Sequence, residues 1–474
     1  TGKAPAKHGI TWFLVDQPDG TRIPVRSTNR KTDAVWNIVD RAGLSSAVVG
    51  WWATYPAEQL RQGMIVSDAV GVHGFGSTSR DSASTGKVHP ENLYGRIDSL
   101  MPVEQQVTAD FAQRFMHIST EDYDRSKFDP ARHARPHPMN PIHLFQQYVV
   151  TAQGYTKIAE TLLEDEAFAL AMLYFEQTDS FSHLFMKYDE PKLDWVDQES
   201  FERYKDLVRE WYRYQDELLG RVLAKIDLET TAVILVSDHG FKIGDRRIRS
   251  DRTVDIQKAH LDHEKEGIFL AAGPHIRRNH HVEGASVIDV TPTVLHYLGL
   301  PVGKDMDGKV LNSILEPEYA AANAIVYVQT YETGQRAKSA NVSMSAADAR
   351  DAEAGLRQLG YIGDGEPGDA PDVAGEGEST ASSPEIHNNL GRIHLGKGEV
   401  DLALAEFEKA LRLDPNNAEA LLNLGAVQQG RGRVRMAQHY AERALAVNPN
   451  SVGALAQLAE AKVGQMLYDD AARL

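Results

Sequence analysis

The runs Ala169-Leu-Ala-Met-Leu-Tyr-Phe175 and Thr231-Ala-Val-Ile-Leu-Val236 enclose a stretch of different periodicity. Both runs are short, continuously apolar and flanked by polar or turn residues, which is typical of strands buried on both faces of a sheet. Between them, over residues 200–225, large apolar side chains recur at steps of three or four and predict an amphipathic helix. The order strand, long helix, strand predicts an α/β fold with a mostly parallel sheet sandwiched by helices.

Two further apolar runs, Ser46-Ala-Val-Val-Gly50 and Gly267-Ile-Phe-Leu-Ala271, extend the predicted sheet, and residues 289–299 predict a helix that ends at a glycine. These elements place one α/β domain over residues 1–345. Residues 57–165 have weaker strand signals and many His, Pro and Arg residues, so we interpret them as an inserted cap region beside the main sheet. Ordinary surface loops and helices are an equally good interpretation of that stretch.

Composition narrows the classes of function. The chain has 474 residues, 42% of them apolar, which is enough for two or three domains. It has no cysteine, which excludes disulfides, thiolate metal sites and a cysteine nucleophile within this sequence. The formal charge of −17 is unfavourable for binding duplex nucleic acid, which rests on basic patches. No apolar run approaches the roughly 18 residues that would suggest a membrane span.

Residues 346–385 are predicted to form a flexible acidic linker rich in Gly, Pro and Ser. Its second half, residues 364–385, carries seven acidic residues without one Lys or Arg. A segment of this composition cannot bury enough apolar surface to fold, so it stays solvated.

A repeat follows the linker. Asn389-Leu-Gly391 recurs as Asn423-Leu-Gly425, and Asp414-Pro-Asn416 recurs as Asn448-Pro-Asn450, each at an offset of 34 residues (423 − 389). A period of 34 with a closing proline resembles the tetratricopeptide repeat, a helix-turn-helix unit. We therefore predict an all-α helical-repeat domain over residues 386–474, with a truncated third repeat, that binds a protein partner.

Asp and His residues follow the predicted strands in a pattern suited to metal binding. Asp179 and His183 are four residues apart after the first run, Asp238 and His239 directly follow the second, and His263 precedes the next one. Parallel sheets place their sites at the carboxyl ends of strands, so both pairs are expected at one edge of the sheet. Imidazole nitrogen and carboxylate oxygen suit Zn²⁺ or Mn²⁺. We predict a site for two divalent metal ions, which hydrolysis of a phosphate ester uses well.

His260 lies three residues before His263 and is an alternative ligand. The spacing of His263 to Gly267 favours His263.

The motifs Asp179-x-x-x-His183, Ser237-Asp-His-Gly240 and His263-x-x-x-Gly267 resemble the alkaline phosphatase superfamily. The closer resemblance is to its type I phosphodiesterase/nucleotide pyrophosphatase branch. It covers about residues 1–315: residues 1–10 resemble the segment just after that family's nucleophile, and residues 289–301 resemble its last helix.

The resemblance implies two metal sites. Asp179, His183 and His263 would hold one zinc ion. Asp238 and His239 would hold the other, together with an upstream Asp and a nucleophilic Thr or Ser. It further implies attack of this metal-activated nucleophile on phosphorus, a covalent phosphoenzyme and its hydrolysis. The substrate would be a small phosphate ester or a nucleotide.

Both ends of the chain are interpreted as cut, because residue 1 is Thr and the last repeat is incomplete. The family's nucleophile and upstream Asp would then lie before Thr1, and the chain as given is expected to be inactive or nearly so. Residues 356–361 resemble the tail that precedes the repeats in bacterial members. Zinc phosphoesterases of this kind are often exported, which favours an extracytoplasmic, periplasmic location.

Other classes of function stay open at this point. Sulfatases, phosphomutases and phosphoethanolamine transferases use the same fold, and fold alone does not choose among these reactions. A catalytically dead scaffold, in which only the repeats act, belongs to a different class.

Two clusters of residues have two interpretations each. The aromatic residues after the first apolar run either stack on a ring of the substrate or simply pack: Trp51, Trp52 and Tyr55. The basic residues after Asp238 either contact phosphate or form a solvated basic face: Lys242, Arg246 and Arg247.

Overall fold

The computed structural model describes residues 1–16, 22–71, 85–129, 131, 140–247, 262–334, 337–340, 342, 384–396, 398–449 and 451–465. The chain divides into two units. Unit 1 comprises Thr1–His8 and Pro18–Ala370, and unit 2 comprises Gly9–Gln17 and Pro371–Leu474. Most of the predicted linker lies outside the described residues.

Short strands and helices of very different lengths make up these units. The strands of the described residues are β1 Leu14–Asp16, β2 Arg22–Pro24, β3 Ser46–Val49, β4 Gly63–Val66, β5 Val88–His89, β6 Leu170–Leu173, β7 Val233–Val236, β8 Gly240–Phe241, β9 His263–Glu264, β10 Phe269–Ala272, β11 Val302–Gly303 and β12 Tyr327–Val328. The α-helices are α1 Pro5–His8, α2 Val35–Arg41, α3 Tyr94–Leu100, α4 Ala109–Ala112, α5 Thr120–Ser126, α6 Pro141–Asp165, α7 Gln177–Phe185, α8 Gln198–Tyr204, α9 Leu207–Leu223, α10 Val290–Tyr297, α11 Pro317–Ala322, α12 Pro384–Gly396, α13 Val400–Leu413, α14 Ala418–Gly430, α15 Val434–Val447 and α16 Val452–Gly464.

A four-stranded sheet with the order β5-β4-β3-β6 is the largest sheet among the described residues. β3 pairs in parallel with β4 on one side and with β6 on the other, and β5 pairs antiparallel with β4. All four residues of β3 are buried, as expected for a continuously apolar run between two neighbouring strands. The predicted α/β fold with a mostly parallel sheet is confirmed.

β4 and β5 fall within residues 57–165, which the sequence predicted to lie beside the main sheet. The structure places both strands in that sheet. Gly63 permits the close pairing of β4 with β3, because a Cβ at this position would lie 2.9 Å from the Ser46 carbonyl oxygen. This part of the stretch was misjudged because its apolar run is only four residues long and begins with glycine.

β7 and β10 pair antiparallel, with Val236 opposite Phe269. The strand-helix-strand order predicted β7 as a parallel strand of the sheet that holds β6, whereas among the described residues β6 pairs with β3 and β7 pairs only with β10. Among the described residues between these strands, Gly240–Phe241 and His263–Glu264 form a second antiparallel pair, β8–β9. Leu235 and Leu270 lie opposite each other in this pair and are 36% and 60% exposed, so the described residues do not cover this face.

The helix predicted over residues 200–225 is divided into α8 and α9, which are separated by Lys205 and Asp206. The predicted apolar face is nevertheless continuous, because all of its members are buried: Phe201, Tyr204, Leu207, Trp211, Tyr214, Leu218 and Val222. Trp211 stacks on Phe181 of α7 with 3.7 Å between ring centroids. This packing fixes α7, the helix that carries Asp179 and His183.

Unit 2 is built from α12 to α16, and each of these helices packs against the next. Ala403 and Ala437, 34 positions apart, are both buried, as are Ala410 and Ala444. Small side chains at these repeat positions let neighbouring helices approach closely. The predicted helical-repeat architecture is confirmed. None of the described helices is long and apolar enough to cross a membrane.

Candidate metal centre

Asp179 and His183 lie on α7, which begins four residues after β6 ends. Asp179 is in the first turn of this helix and His183 is one turn later, so both side chains point to the same side. The distance from Asp179 Oδ1 to His183 Nε2 is 3.5 Å. The His183 side chain is only 3% exposed, so its orientation is fixed by packing.

Asp238 and His239 follow β7 directly, and the antiparallel pair β8–β9 brings His263 to them. In this pair, Phe241 lies opposite His263. The chain passes so closely here that a Cβ at Gly267 would collide with the Ser237 carbonyl oxygen, which explains the glycine four residues after His263. Three chain segments that are far apart in sequence therefore bring their side chains together.

The convergence is centred on one carboxylate oxygen. Asp179 Oδ1 lies 3.5 Å from His239 Nε2 and 3.7 Å from His263 Nε2, in addition to its approach to His183. The Nε2 atoms of His183 and His263 are 2.9 Å apart. Ligands at about 2.0 Å from a tetrahedral zinc ion are separated by about 3.3 Å, so these spacings fit ligand atoms around a shared metal position.

The tautomer of His239 also fits a ligand. Its Nδ1–H donates to the Gly240 carbonyl oxygen at 3.2 Å, which leaves Nε2 with a free lone pair towards Asp179. Asp179, His239 and His263 could together bind one metal ion, since one ligand atom from each lies within 4.8 Å of the others. The donor chemistry and the geometry thus agree with a divalent metal site.

Asp238 stands at the margin of this cluster. Its side chain is 75% exposed, and its Oδ1 is 3.7 Å from Nε2 of His239. Four of the five predicted ligands therefore come together around Asp179, and their division between two ions stays a prediction. The alternative ligand His260 lies outside the described residues.

A family model for type I phosphodiesterase / nucleotide pyrophosphatase matches residues 1–314. The chain belongs to this family. The match confirms the resemblance on which the ligand assignments rest, and the family is metal-dependent. A TPR repeat model matches residues 391–432, in unit 2.

Other comparisons add no functional information about this phosphodiesterase-family chain. No curated protein matches it. Two solved structures, both titled as crystal structures of MamA, have 25% and 22% identity and a TM-score of 0.19 each. These matches cover 19% and 26% of the chain and 50% and 63% of the MamA chains, so the chain spans only part of their length.

Sequence reasoning assigned no role to Phe241 and Tyr174 of the phosphodiesterase-family domain. Phe241 packs edge-on against three imidazoles, with 4.9 Å to His183, 5.0 Å to His263 and 5.6 Å to His239 between ring centroids. It is therefore an apolar wall that orients the rings. Its position two residues after His239 was the available signal.

Tyr174 directly follows β6. Burial raises the pKa of Tyr174 well above its usual value of 10.0, and the carboxylates of Glu176, Asp238 and Asp179 raise it further. The phenol thus stays protonated and remains a hydrogen-bond donor near these acids. Its ring lies 5.5 Å from that of Trp51, so Trp51 packs beside the candidate site and is half-buried.

The basic residues after Asp238 have separate roles. Arg246 is exposed and pairs with Glu264, in agreement with a solvated basic face. Arg247 is buried, which the sequence did not indicate. Lys242 lines a cleft beside His183, together with Lys187.

Proposed function

We propose that the phosphodiesterase-family domain hydrolyses phosphodiesters or related phosphate esters at a site for two divalent ions, with zinc preferred and manganese as the alternative. The observation that carries this proposal is the approach of three imidazole Nε2 atoms to Asp179 Oδ1 at 3.5–3.7 Å. Such ions, when bound, supply charge stabilisation at phosphorus and lower the pKa of a bound nucleophile.

The residues of the chain hold and orient the site in this proposal. Asp179 supplies an anionic oxygen shared by the imidazoles, and it compensates part of the charge of bound cations. The Gly240 carbonyl accepts the Nδ1 proton of His239, which favours the tautomer whose Nε2 can bind a metal ion. Phe241 covers the rings and excludes water from one side. The Tyr174 hydroxyl, held protonated, offers a hydrogen bond to an oxygen atom at the same edge.

A substrate panel tests the reaction class. Because the family resemblance places the nucleophilic Thr or Ser before Thr1, the assay uses the gene product extended upstream of Thr1, with the chain from Thr1 as the comparison. We expect the extended protein to hydrolyse bis(p-nitrophenyl) phosphate in a zinc-dependent reaction, and Asp179→Asn to lower kcat/KM by at least about a hundredfold. Faster turnover of p-nitrophenyl sulfate than of any phosphate ester would overturn the proposal in favour of a sulfatase.

The repeats of unit 2 are proposed to bind a protein partner. TPR units generally mediate protein interactions, and a TPR repeat model matches residues 391–432 of this unit. The test is quantitative binding of a purified candidate partner to the full chain and to a chain that ends before Pro384. Equal affinity for the two proteins would contradict this role for the repeats.

A further inference from the structure

Residues 9–17 belong to unit 2, together with the helical repeats, although the chain on both sides of them belongs to unit 1. The match of the phosphodiesterase family model, residues 1–314, includes this stretch. The chain therefore leaves unit 1 after His8, contributes a short segment to unit 2 and returns to unit 1 at Pro18. We refer to residues 9–16, the described part of this stretch, as the arm segment.

The arm segment is apolar and ends in the strand β1. Large apolar side chains occupy most of its positions: Ile10, Trp12, Phe13, Leu14 and Val15. None of residues 9–15 is exposed, and Leu14 is only 4% exposed. The rings of Trp12 and Phe13 pack edge-on with 5.6 Å between their centroids. A simple connection over the surface would leave its side chains in water, so packing holds the arm segment in place.

One contact recurs between the first helices of successive repeats, which are α12, α14 and α16 and pack on one another in this order. Gln457 of α16 donates from Nε2 to the Leu422 carbonyl of α14 at 2.7 Å. Asn423 of α14 donates from Nδ2 to Asn388 Oδ1 of α12 at 2.8 Å. Each donor thus reaches the residue 35 positions earlier, on the first helix of the preceding repeat.

Asn389 occupies the position of this donor in the first repeat, 34 residues before Asn423. The predicted repeat domain begins at residue 386, so Asn389 has no earlier repeat to reach. Its Nδ2 donates instead to the Thr11 carbonyl of the arm segment at 3.2 Å. The arm segment therefore stands to α12 as α12 stands to α14.

We infer that the arm segment is the N-terminal cap of the repeat array. The end of such an array exposes an apolar face unless a capping element covers it. The arm segment brings apolar side chains and a main-chain acceptor to unit 2, both of which a preceding repeat would provide. The open side of α12 is thus an interaction surface for an extended apolar segment, and its occupant belongs to the same chain. A protein partner meets the repeats with this surface already covered.

Cross-linking of the full chain tests the position of the arm segment. The chain has no cysteine, so two introduced cysteines report proximity without competing thiols. The pair Thr11→Cys/Arg392→Cys keeps Asn389 and uses an exposed residue one turn after it on α12. With a short bis-maleimide at low protein concentration, we expect efficient cross-linking within one molecule, quantified by mass spectrometry. Thr11→Cys/Glu460→Cys, with an exposed residue of α16, is the control and should react at least about tenfold more slowly.

Hydrogen exchange of the full chain tests whether the contact stabilises the repeats. Loss of one typical hydrogen bond corresponds to about a fivefold change in an opening equilibrium. Asn389→Ala is therefore expected to speed exchange about fivefold in both the arm segment and α12. Asn416→Ala, which removes an exposed asparagine of unit 2, is the matched control and should leave both rates unchanged.

Two results would overturn the cap. One is cross-linking of the Thr11→Cys/Arg392→Cys pair that is no faster than that of the control pair. The other is an unchanged exchange rate of the arm segment in Asn389→Ala. The cross-linking pair keeps the Asn389 amide, so it decides the question even if Asn389→Ala does not fold, as judged by circular dichroism. Neither experiment depends on turnover of a phosphate ester, so the cap stands or falls separately from the proposed function.

Discussion

His183 and His263 face each other with 2.9 Å between their Nε2 atoms, although 80 positions separate them in the sequence. Two neutral imidazoles at this distance either share one proton or direct both lone pairs at a cation. Asp179 Oδ1 lies within 3.7 Å of both atoms, which favours a cation at this point. Because His183 contacts both His263 and Asp179 in this cluster, its removal is a direct test of whether the cluster binds a metal ion.

Substitution of His183 by alanine is expected to weaken zinc binding by more than about tenfold, because a ligand is lost from a site whose remaining groups stay in place. Competition with a fluorescent zinc chelator measures the change in dissociation constant. His117→Ala is the matched control, since His117 is 62% exposed and pairs with Asp206. Equal zinc affinities for both variants would exclude His183 as a ligand.

Glu58→Gln is expected to lower the free energy of unfolding by about 3–5 kcal/mol, because it leaves the guanidinium of Arg30 buried without its counterion. Arg30 Nη2 lies 2.7 Å and 2.8 Å from the two carboxylate oxygens of Glu58, and Trp36 Nε1 also donates to Glu58 at 2.9 Å. Urea denaturation provides the measurement. Glu121→Gln breaks the exposed pair with Arg125 and should cost less than about 1 kcal/mol; similar losses in both variants would contradict this account.

His296 is expected to make the fold sensitive to acid. Burial lowers the pKa of His296 below its usual value of 6.5, so the unfolded chain takes up the proton first as the pH falls. Above about pH 6.5 His296 is neutral in the folded and the unfolded chain, and it does not lower the free energy of unfolding. As the pH drops below 6.5, protonation of His296 in the unfolded chain lowers the free energy of unfolding. Urea denaturation between pH 7.5 and pH 5 should show a smaller loss of stability for His296→Leu than for the wild type. An identical pH dependence for the two proteins would rule out this residue as the cause.

Gly391 and Gly425 occupy equivalent positions of successive repeats but tolerate a methyl group differently. A Cβ at Gly391 would collide with the ring of Phe407, which is fully buried, whereas at Gly425 it would meet the amide end of Gln457, which can move. Gly391→Ala should therefore lower the melting temperature of unit 2 in the full chain, at a cost of about 1–3 kcal/mol, and Gly425→Ala should cost less. Gly430→Ala has open space and serves as the control. A larger effect at Gly425 than at Gly391 would contradict this prediction.

Periodicity predicted the parts of the fold that local patterns determine. The 34-residue repeat and the apolar face from Phe201 to Val222 depend on spacing alone, and both are confirmed. The antiparallel pairing of β7 with β10 and the place of β4 in the sheet depend on contacts between distant segments, which one sequence does not encode locally. For the same reason the pattern found Asp179 and His183 as a pair but not the role of Phe241 between three imidazoles.

The zinc content of the purified chain after exhaustive dialysis tests the central claim most directly. Elemental analysis should find at least one equivalent of zinc in the wild type, clearly reduced in Asp179→Asn and unchanged in the control His117→Ala. A wild type that retains no zinc when it is dialysed after loading, or an Asp179→Asn variant that retains as much as the wild type, would contradict a metal centre built around Asp179.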